Sequence, residues 1–209
     1  MTEVKTRRSH GAIRPVAGRH QILAAASSIG RRLGWKAVTI RAVAQQLGYT
    51  APLLYQHFQD KRDLLTELAL EGQLGLAREL RRELPAEPHA AILRMVERYW
   101  SFMLENKQLY RLMNGMDGVP IDRERIRDIA QRIFAAATSI VQAWLVAECD
   151  EASGADRLVD ELWAVLHGMA ALHLDRHAPF DLGRAQDCVA KLLMGTREQA
   201  QRLRSQADR

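Results

Sequence analysis

The sequence predicts an all-α protein with a small N-terminal three-helix unit followed by a larger helical domain. Apolar residues recur at spacings of three and four along almost the whole chain, which is the period of an amphipathic helix. No segment shows the sustained alternation of apolar and polar residues that is typical of strands. Glycine and proline divide the apolar pattern into nine helical segments.

Three short helices are predicted within residues 18–66. The first extends from about residue 19 to residue 33 and ends at Gly34. Thr39 is placed to cap the second helix, which Gly48 ends, and Thr50 is placed to cap the third, with Pro52 in its first turn. Three helices within about 40 residues make a unit of helix-turn-helix size.

Six further helices are predicted in the rest of the chain, and residues 67–209 are assigned to the larger domain. Asp60 is expected to cap the fourth helix, which extends to about Leu84 and belongs to both parts because its apolar stripe continues from one into the other. The remaining helices are expected at about 88–105, 107–114, 122–149, 156–176 and 182–204.

Positive charge is concentrated at the N-terminal end. The net charge of the chain is +5, but residues 1–62 hold 11 Lys and Arg against 2 acidic residues, whereas residues 63–209 hold 19 against 23. Residues 1–17 carry glycine and proline breakers among basic side chains, which predicts a flexible basic arm. The basic end is therefore the part expected to meet a polyanion.

Several classes of protein are disfavoured by the sequence. Cys149 and Cys188 have no metal-ligand spacing and suit a reducing cytosol. The longest apolar stretch, residues 133–147, contains polar residues and is shorter than the ~20 residues of a membrane span. No hydrolase, metalloprotease or nucleotide-binding motif is found. We expect a soluble cytoplasmic protein that is not an enzyme, needs no cofactor and contacts no membrane.

The segment VTIRAVAQQLGYTAPLLYQHFQDKRDLL, residues 38–65, has the pattern of a helix-turn-helix. Small residues are needed where the two helices meet, and Ala44 and Gly48 supply them. This segment strongly resembles the DNA-binding domain of the TetR family, above all in LYQHF at residues 54–58 and in the Lys61 that follows. The resemblance covers residues 19–66 and implies a homodimeric regulator of transcription. Most such regulators are repressors, so we expect a repressor that a small ligand releases from a palindromic operator.

The outer face of this unit supplies the candidate DNA contacts. They are Thr39, Arg41, Thr50, Ala51, Pro52, Leu53, Tyr55, Gln56, His57 and Lys61. The resemblance implies that Arg41 reads a guanine edge, and its guanidinium suits the O6 and N7 acceptors, although a phosphate contact fits equally well.

The resemblance assigns backbone roles to other residues of this set. It implies that Tyr55 and His57 contact the DNA backbone and that Lys61 clamps a phosphate. Thr39 and Thr50 either contact DNA or serve only as helix caps. Leu53 departs from the Ser or Thr often found there in the family, so a polar contact is lost or replaced by contact with a thymine methyl group.

Aromatic and methionine side chains concentrate in the fifth to seventh helices. Such side chains line apolar ligand cavities between helices, but they also form ordinary cores. The candidate ligand contacts are Trp100, Met103, Tyr110, Met113, Phe134 and Trp144. The expected effector is a small apolar or amphipathic organic molecule bound between helices five, six and seven.

The segment WAVLHGMAAL, residues 163–172, resembles the Trp-His-Gly signature of one type of C-terminal domain in the TetR family. Trp163 and His167 share a helix face, and Gly168 permits close helix approach, so both a dimer interface and a pocket explain them. The family implies a homodimer through helices eight and nine. The apolar residues offered for that surface are Leu158, Leu162, Val165, Met169, Leu172, Val189, Leu192, Leu193 and Thr196.

Three alternatives remain open at this stage. His173 and His177, one helical turn apart and near Asp175 and Asp181, permit a metal-responsive regulator. The two cysteines permit a thiol-responsive one. A transcriptional activator would show the same sequence features as a repressor.

Overall fold

The computed structural model describes residues 18–150 and 153–207, except for the side chains of residues 132, 133 and 207. All regular secondary structure within these residues is helical, which confirms the predicted fold class. The basic arm predicted at residues 1–17 lies outside the described residues.

The N-terminal unit contains three α-helices and one 3₁₀ turn that the sequence did not predict. They are α1 (Arg19–Leu33), the 3₁₀ turn (Trp35–Ala37), α2 (Ile40–Leu47) and α3 (Ala51–Tyr55). The Thr39 side chain accepts a hydrogen bond from the backbone N–H of Ala42, 3.0 Å away, and so caps α2 as predicted. Thr50 precedes α3, but its side chain makes no capping hydrogen bond, so that expectation was wrong.

The turn between α2 and α3 depends on Gly48. This residue adopts φ 71°, a left-handed conformation that glycine enters without the steric penalty of a Cβ atom. Its backbone N–H donates to carbonyl groups at the end of α2, and the N–H of Tyr49 donates to Ala44 O at 2.9 Å. The chain can therefore reverse sharply and place α3 beside α2.

Six further helices complete the described chain, and most of their ends match the sequence pattern. They are α4 (Lys61–Leu80), α5 (Pro88–Glu105), α6 (Lys107–Met113), α7 (Arg123–Cys149), α8 (Ala155–Leu174) and α9 (Leu182–Ala207). The Asp60 side chain caps α4 by accepting from the N–H of Asp63 at 2.8 Å. The helix ends at Leu80, four residues before Leu84, and Glu83 has a positive φ of 51° that is incompatible with continued right-handed helix.

One apolar cluster extends through both parts of the chain, from Ile22 in α1 to Leu193 in α9. Helix α4 connects the parts, since it packs against α1 as well as α5, α6 and α7. Helix α7 packs against α4, α5, α8 and α9. By length and composition alone α7 is apolar enough to cross a membrane, contrary to the sequence expectation, but core helices of water-soluble proteins pass the same test.

The 3₁₀ turn brings a tryptophan to the junction of the two parts. Trp35 is 1% exposed, and a Cβ atom on Gly30 of α1 would lie 2.1 Å from its ring, so only glycine permits this approach. The indole Nε1 donates to the carbonyl oxygen of Gln108 in α6 at 2.7 Å. Trp35 thus packs on the N-terminal unit while it hydrogen-bonds to the larger domain.

The exposed faces of α8 and α9 differ from the dimer surface that the sequence predicted on these helices. Leu158, Leu162, Met169, Val189 and Leu193 are buried within the chain itself and cannot face a second subunit. Their exposed positions carry charged side chains, with small and apolar residues among them. The small and apolar ones include Ala164, Leu172, Ala190, Met194 and Gly195.

Candidate nucleic-acid interface and ligand cavity

The outer face of the helix-turn-helix presents a mixture of polar and aromatic side chains. Thr39, Arg41, Thr50, Pro52, Tyr55 and Gln56 are exposed, whereas Ala51, Leu53, His57 and Lys61 are half-buried. Leu54 and Phe58 are fully buried and anchor α3 and the following turn to the core. Because Leu54 and Phe58 point into the core, the outer face of α2 and α3 remains accessible to a partner.

Arg41 and Thr39 occupy the start of α2. The Arg41 guanidinium makes no hydrogen bond or ion pair within the described part of the chain and is therefore available to a base edge or a phosphate. The Thr39 hydroxyl accepts a capping hydrogen bond but retains its own proton as a donor. The capping and contact roles of Thr39 are therefore compatible.

Lys61 and His57 have partners that the sequence did not indicate. The ammonium group of Lys61 donates to the carbonyl oxygen of Lys36 at 2.9 Å, and partial burial lowers its pKa. Lysine has three donors, so two remain for a phosphate. The Nε2 atom of His57 is buried without a hydrogen-bond partner in the described structure, so only the other edge of the ring can face DNA.

A charged cluster lies where the N-terminal unit meets α4 and α7. Arg19 of α1 lies over the Phe58 ring, 4.4 Å from its centroid, and donates to His57 O at 2.8 Å. The same guanidinium pairs with Glu67 of α4 at 2.9 Å, and Arg125 of α7 pairs with the other oxygen of Glu67 at 2.6 Å. Sequence reasoning missed this cluster because its members lie up to about a hundred residues apart.

A second contact ties the beginning of α7 to α4. The hydroxyl of Thr66, a fully buried residue, accepts the backbone N–H of Asp122 at 2.8 Å. The Asp122 carboxylate caps α7 and lies 3.6 Å from the Arg62 guanidinium. The start of α7 is therefore attached to the first two turns of α4.

The larger domain contains an apolar cavity of about 100 Å³ between α4, α5, α7 and α8. Aromatic rings from three of these helices, Tyr99, Phe134 and Trp163, form part of its wall. The full lining is Gln73, Leu76, Leu80, Ile92, Met95, Val96, Tyr99, Ala130, Phe134, Ala137, Val141, Val159, Leu162, Trp163 and Leu166. None of these described lining residues is charged.

The cavity differs in position from the one expected from the sequence. Of the six candidate ligand contacts, only Phe134 lines it. Trp100, Met103, Tyr110, Met113 and Trp144 do not line it and are buried core residues, each at most 3% exposed. An apolar side chain that lines a cavity and one that fills a core have the same sequence signature, so only the packing distinguishes them.

A hydrogen-bonded chain of three side chains begins at Tyr99 in the aromatic wall and continues into the core. The hydroxyl groups of Tyr99 and Tyr110 are 2.5 Å apart, and the Tyr110 hydroxyl lies 2.7 Å from Nδ1 of His167. Burial raises the pKa of both tyrosines and lowers the pKa of His167, so all three are uncharged near neutral pH. The His167 ring stacks on Trp163, with 5.0 Å between ring centroids.

The histidines considered for a metal site have other surroundings. Asp175 pairs with Arg111, and the His173 ring packs edge-on against Trp100. Within residues 18–150 and 153–207, no group of three or more His, Cys, Asp or Glu side chains converges in a metal-binding arrangement. Cys149 is buried and Cys188 is half-buried, and the two do not form a disulfide.

Two family models match this chain and together cover most of it. Residues 22–68 match the model of bacterial regulatory proteins of the tetR family, and residues 92–195 match a tetracyclin repressor-like C-terminal domain. The chain belongs to the TetR family. TetR-family regulators are DNA-binding proteins rather than enzymes, and the first match falls on the helix-turn-helix. No sequence relative was found among curated proteins.

Solved structures of several bacterial proteins share this fold. A protein of unknown function from Rhodococcus sp. RHA1 is 23% identical, with a TM-score of 0.74 over 89% of this chain and 98% of its own. The TetR-family regulator PfmR from Thermus thermophilus is 21% identical, with a TM-score of 0.63 over 83% and 97%. The fatty acid degradation regulator FadR from Bacillus halodurans is 14% identical, with a TM-score of 0.62 over 85% and 94%.

Proposed function

We propose that this protein is a cytoplasmic transcriptional repressor that binds a palindromic operator as a homodimer and is released by a small apolar or amphipathic ligand. The observation that carries the proposal is that one helix, α4, belongs to both sites. Its first residue, Lys61, lies against the helix-turn-helix unit, while Gln73, Leu76 and Leu80 form part of the cavity wall.

Ligand binding in the cavity would change DNA affinity through this helix. A ligand that wedges α4 away from α5 and α7 shifts the position of Lys61 and of the attached helix-turn-helix. In a dimer, such a shift alters the distance between the two reading heads, which must match one helical turn of DNA, ~34 Å, or a multiple of it. The change in DNA affinity cannot exceed the difference between the ligand's affinities for the two head-to-head spacings.

The proposed ligand site is the cavity, with Phe134 as the contact retained from the sequence prediction. The five buried aromatic and methionine residues that do not line it would act as packing behind its walls.

Homodimerisation is proposed through α8 and α9. The C-terminal family model covers all of α8 and the first half of α9, and the exposed positions of both helices include small and apolar residues among charged ones. A Cβ atom added at Gly168 of α8 or Gly195 of α9 would meet nothing within 4 Å in this chain, so both backbones are open to close approach by another helix.

Site selection tests this function directly. The purified full chain is incubated with random duplex DNA, and bound sequences are enriched and read. We expect a near-palindromic site whose affinity falls steeply with salt, because phosphate contacts release counterions. Enrichment of no sequence, or of a site without two half-sites, would contradict the proposal. A reporter with the selected site across its promoter then distinguishes repression from activation.

A further inference from the structure

We propose that Gln73 is the specificity-determining residue of the cavity, and that the ligand is a compact, uncharged organic molecule with one hydrogen-bonding group, such as an alcohol or an amide. This inference rests on the proposed function, because it requires the cavity to be the ligand site. It goes further by naming the chemistry that the site recognises.

Gln73 is a polar residue at a position where the helical periodicity of α4 predicts an apolar one. It shares the inward face of the helix with Ala69, Leu76 and Leu80, and it is only 6% exposed. Its side chain lines the cavity and makes no hydrogen bond to any described residue. An amide that has no partner among the described residues is available to a group that enters the cavity, and one net hydrogen bond to such a group favours binding.

The Tyr99 hydroxyl of the wall is already occupied, and the indole of Trp163 can only donate a hydrogen bond. The Tyr99 hydroxyl is hydrogen-bonded to Tyr110, which is bonded in turn to His167. The Gln73 amide offers both a donor and an acceptor, so it matches a ligand hydroxyl, carbonyl or amide.

The composition of the wall selects against a charged ligand. None of the described lining residues carries a charge, so an ionised carboxylate or ammonium group would enter without a counter-charge. The cavity volume of about 100 Å³ also selects for small molecules, because sites for drug-sized ligands are typically ~300–1,000 Å³.

Calorimetric titration of the full chain with matched probes tests the inference. The probes are benzyl alcohol, benzamide, benzoate and toluene, which share one ring and differ in the polar group. We expect benzyl alcohol and benzamide to bind about three- to tenfold more tightly than toluene, the range for one net hydrogen bond. Benzoate should bind more weakly than toluene, because its charge is buried without a partner.

Two pairs of variants assign the site. Gln73→Leu should make benzyl alcohol and toluene bind equally, while Gln73→Asn, which keeps the amide, should preserve part of the difference. Ala137→Phe fills the cavity from α7 and should abolish binding of all probes, whereas Ala135→Phe, at an exposed position on the same helix, should leave binding unchanged.

The outcomes separate this inference from the function on which it rests. If benzoate binds as tightly as benzyl alcohol, or if Gln73→Leu keeps the preference for the alcohol, the role of Gln73 is wrong while the cavity remains a ligand site. If no probe binds up to its solubility limit, or if Ala137→Phe binds all of them normally, the cavity is not the site and the sensing part of the proposed function fails with it.

Discussion

Arg125 and Glu67 connect the helix that forms one side of the cavity to the helix that enters the DNA-binding unit. Nη2 of Arg125 lies 2.6 Å from Oε1 of Glu67, and the other carboxylate oxygen is 2.9 Å from Arg19. The Glu67 side chain is 20% exposed, so water screens these pairs only in part. Glu67 of α4 is therefore paired with both α7 and α1, and we expect a displacement of α7 to act on both helices through this carboxylate.

Replacement of Arg125 by Met should weaken the effect of ligand on DNA affinity while each separate affinity changes little. Coupling between two sites typically amounts to about 5- to 150-fold, and the variant should lose a substantial part of it. Fluorescence anisotropy of a labelled operator, with and without saturating benzyl alcohol, measures the coupling. Arg127→Met is the matched control, since Arg127 is exposed and makes no ion pair in the described part of the chain. An unchanged response in Arg125→Met would contradict the role of this pair.

Glu67 and Glu71, one turn apart on α4, should give opposite pH profiles of stability. Burial alone would raise the pKa of Glu67, but hydrogen bonds from Arg19 and Arg125 outweigh it and lower that pKa below 4.5. The stability that Glu67 contributes is therefore present above pH 4.5 and is lost as the pH falls through its lowered pKa. Partial desolvation, followed by repulsion from Glu67, raises the pKa of Glu71 above 4.5 although this residue is largely exposed, so its ionised carboxylate destabilises the folded protein at pH values above that pKa.

Urea denaturation across pH 3–7 tests this contrast. At pH 7, Glu67→Gln should be less stable than the natural chain and Glu71→Gln more stable. Both differences should shrink towards pH 3, since the carboxyl groups then become neutral. If both variants shift stability in the same direction at pH 7, the assigned environments are wrong.

Arg41→Ala and Lys61→Ala should weaken DNA binding in different ways. Loss of Lys61 should reduce affinity for all sequences alike. Because one phosphate contact is removed, the slope of log affinity against log salt concentration should also become shallower by about one. Loss of Arg41 should relax preference at one base position if its guanidinium reads a guanine edge. Binding to a panel of single-base operator variants at several salt concentrations separates the two, and unchanged selectivity in Arg41→Ala would assign it to the backbone instead.

Gly168→Trp should break the proposed dimer without unfolding the subunit. Within one chain a Cβ atom at this position meets nothing within 4 Å, but in a closely packed α8–α9 interface the indole would cost about 1–3 kcal/mol, or roughly 5- to 150-fold in the dissociation constant. Analytical ultracentrifugation measures that constant. Leu74→Trp, at a position 47% exposed on α4, controls for an added surface indole. Equal dimerisation of both variants would place the interface elsewhere.

The sequence by itself determined the helices and the identity of the DNA-binding unit. Thr39 caps α2 through an N–H three residues away, and Gly48 ends the same helix through contacts within five residues. Such signals are local, so they can be recognised without the fold. The spacing of the LYQHF segment is local in the same sense, which is why residues 19–66 sufficed to recognise the family.

Tertiary structure alone decided where the cavity lies and what its wall contains. Gln73 and Trp163 line the same space although ninety positions separate them, and helical periodicity says nothing about which faces of α4 and α8 meet. Met103 and Phe134 look alike in sequence, yet one fills the core and the other borders the cavity. The physical reason is that burial of apolar surface is non-directional: it drives both side chains inward but does not specify which neighbours they meet. Those neighbours are set by how the whole helices pack.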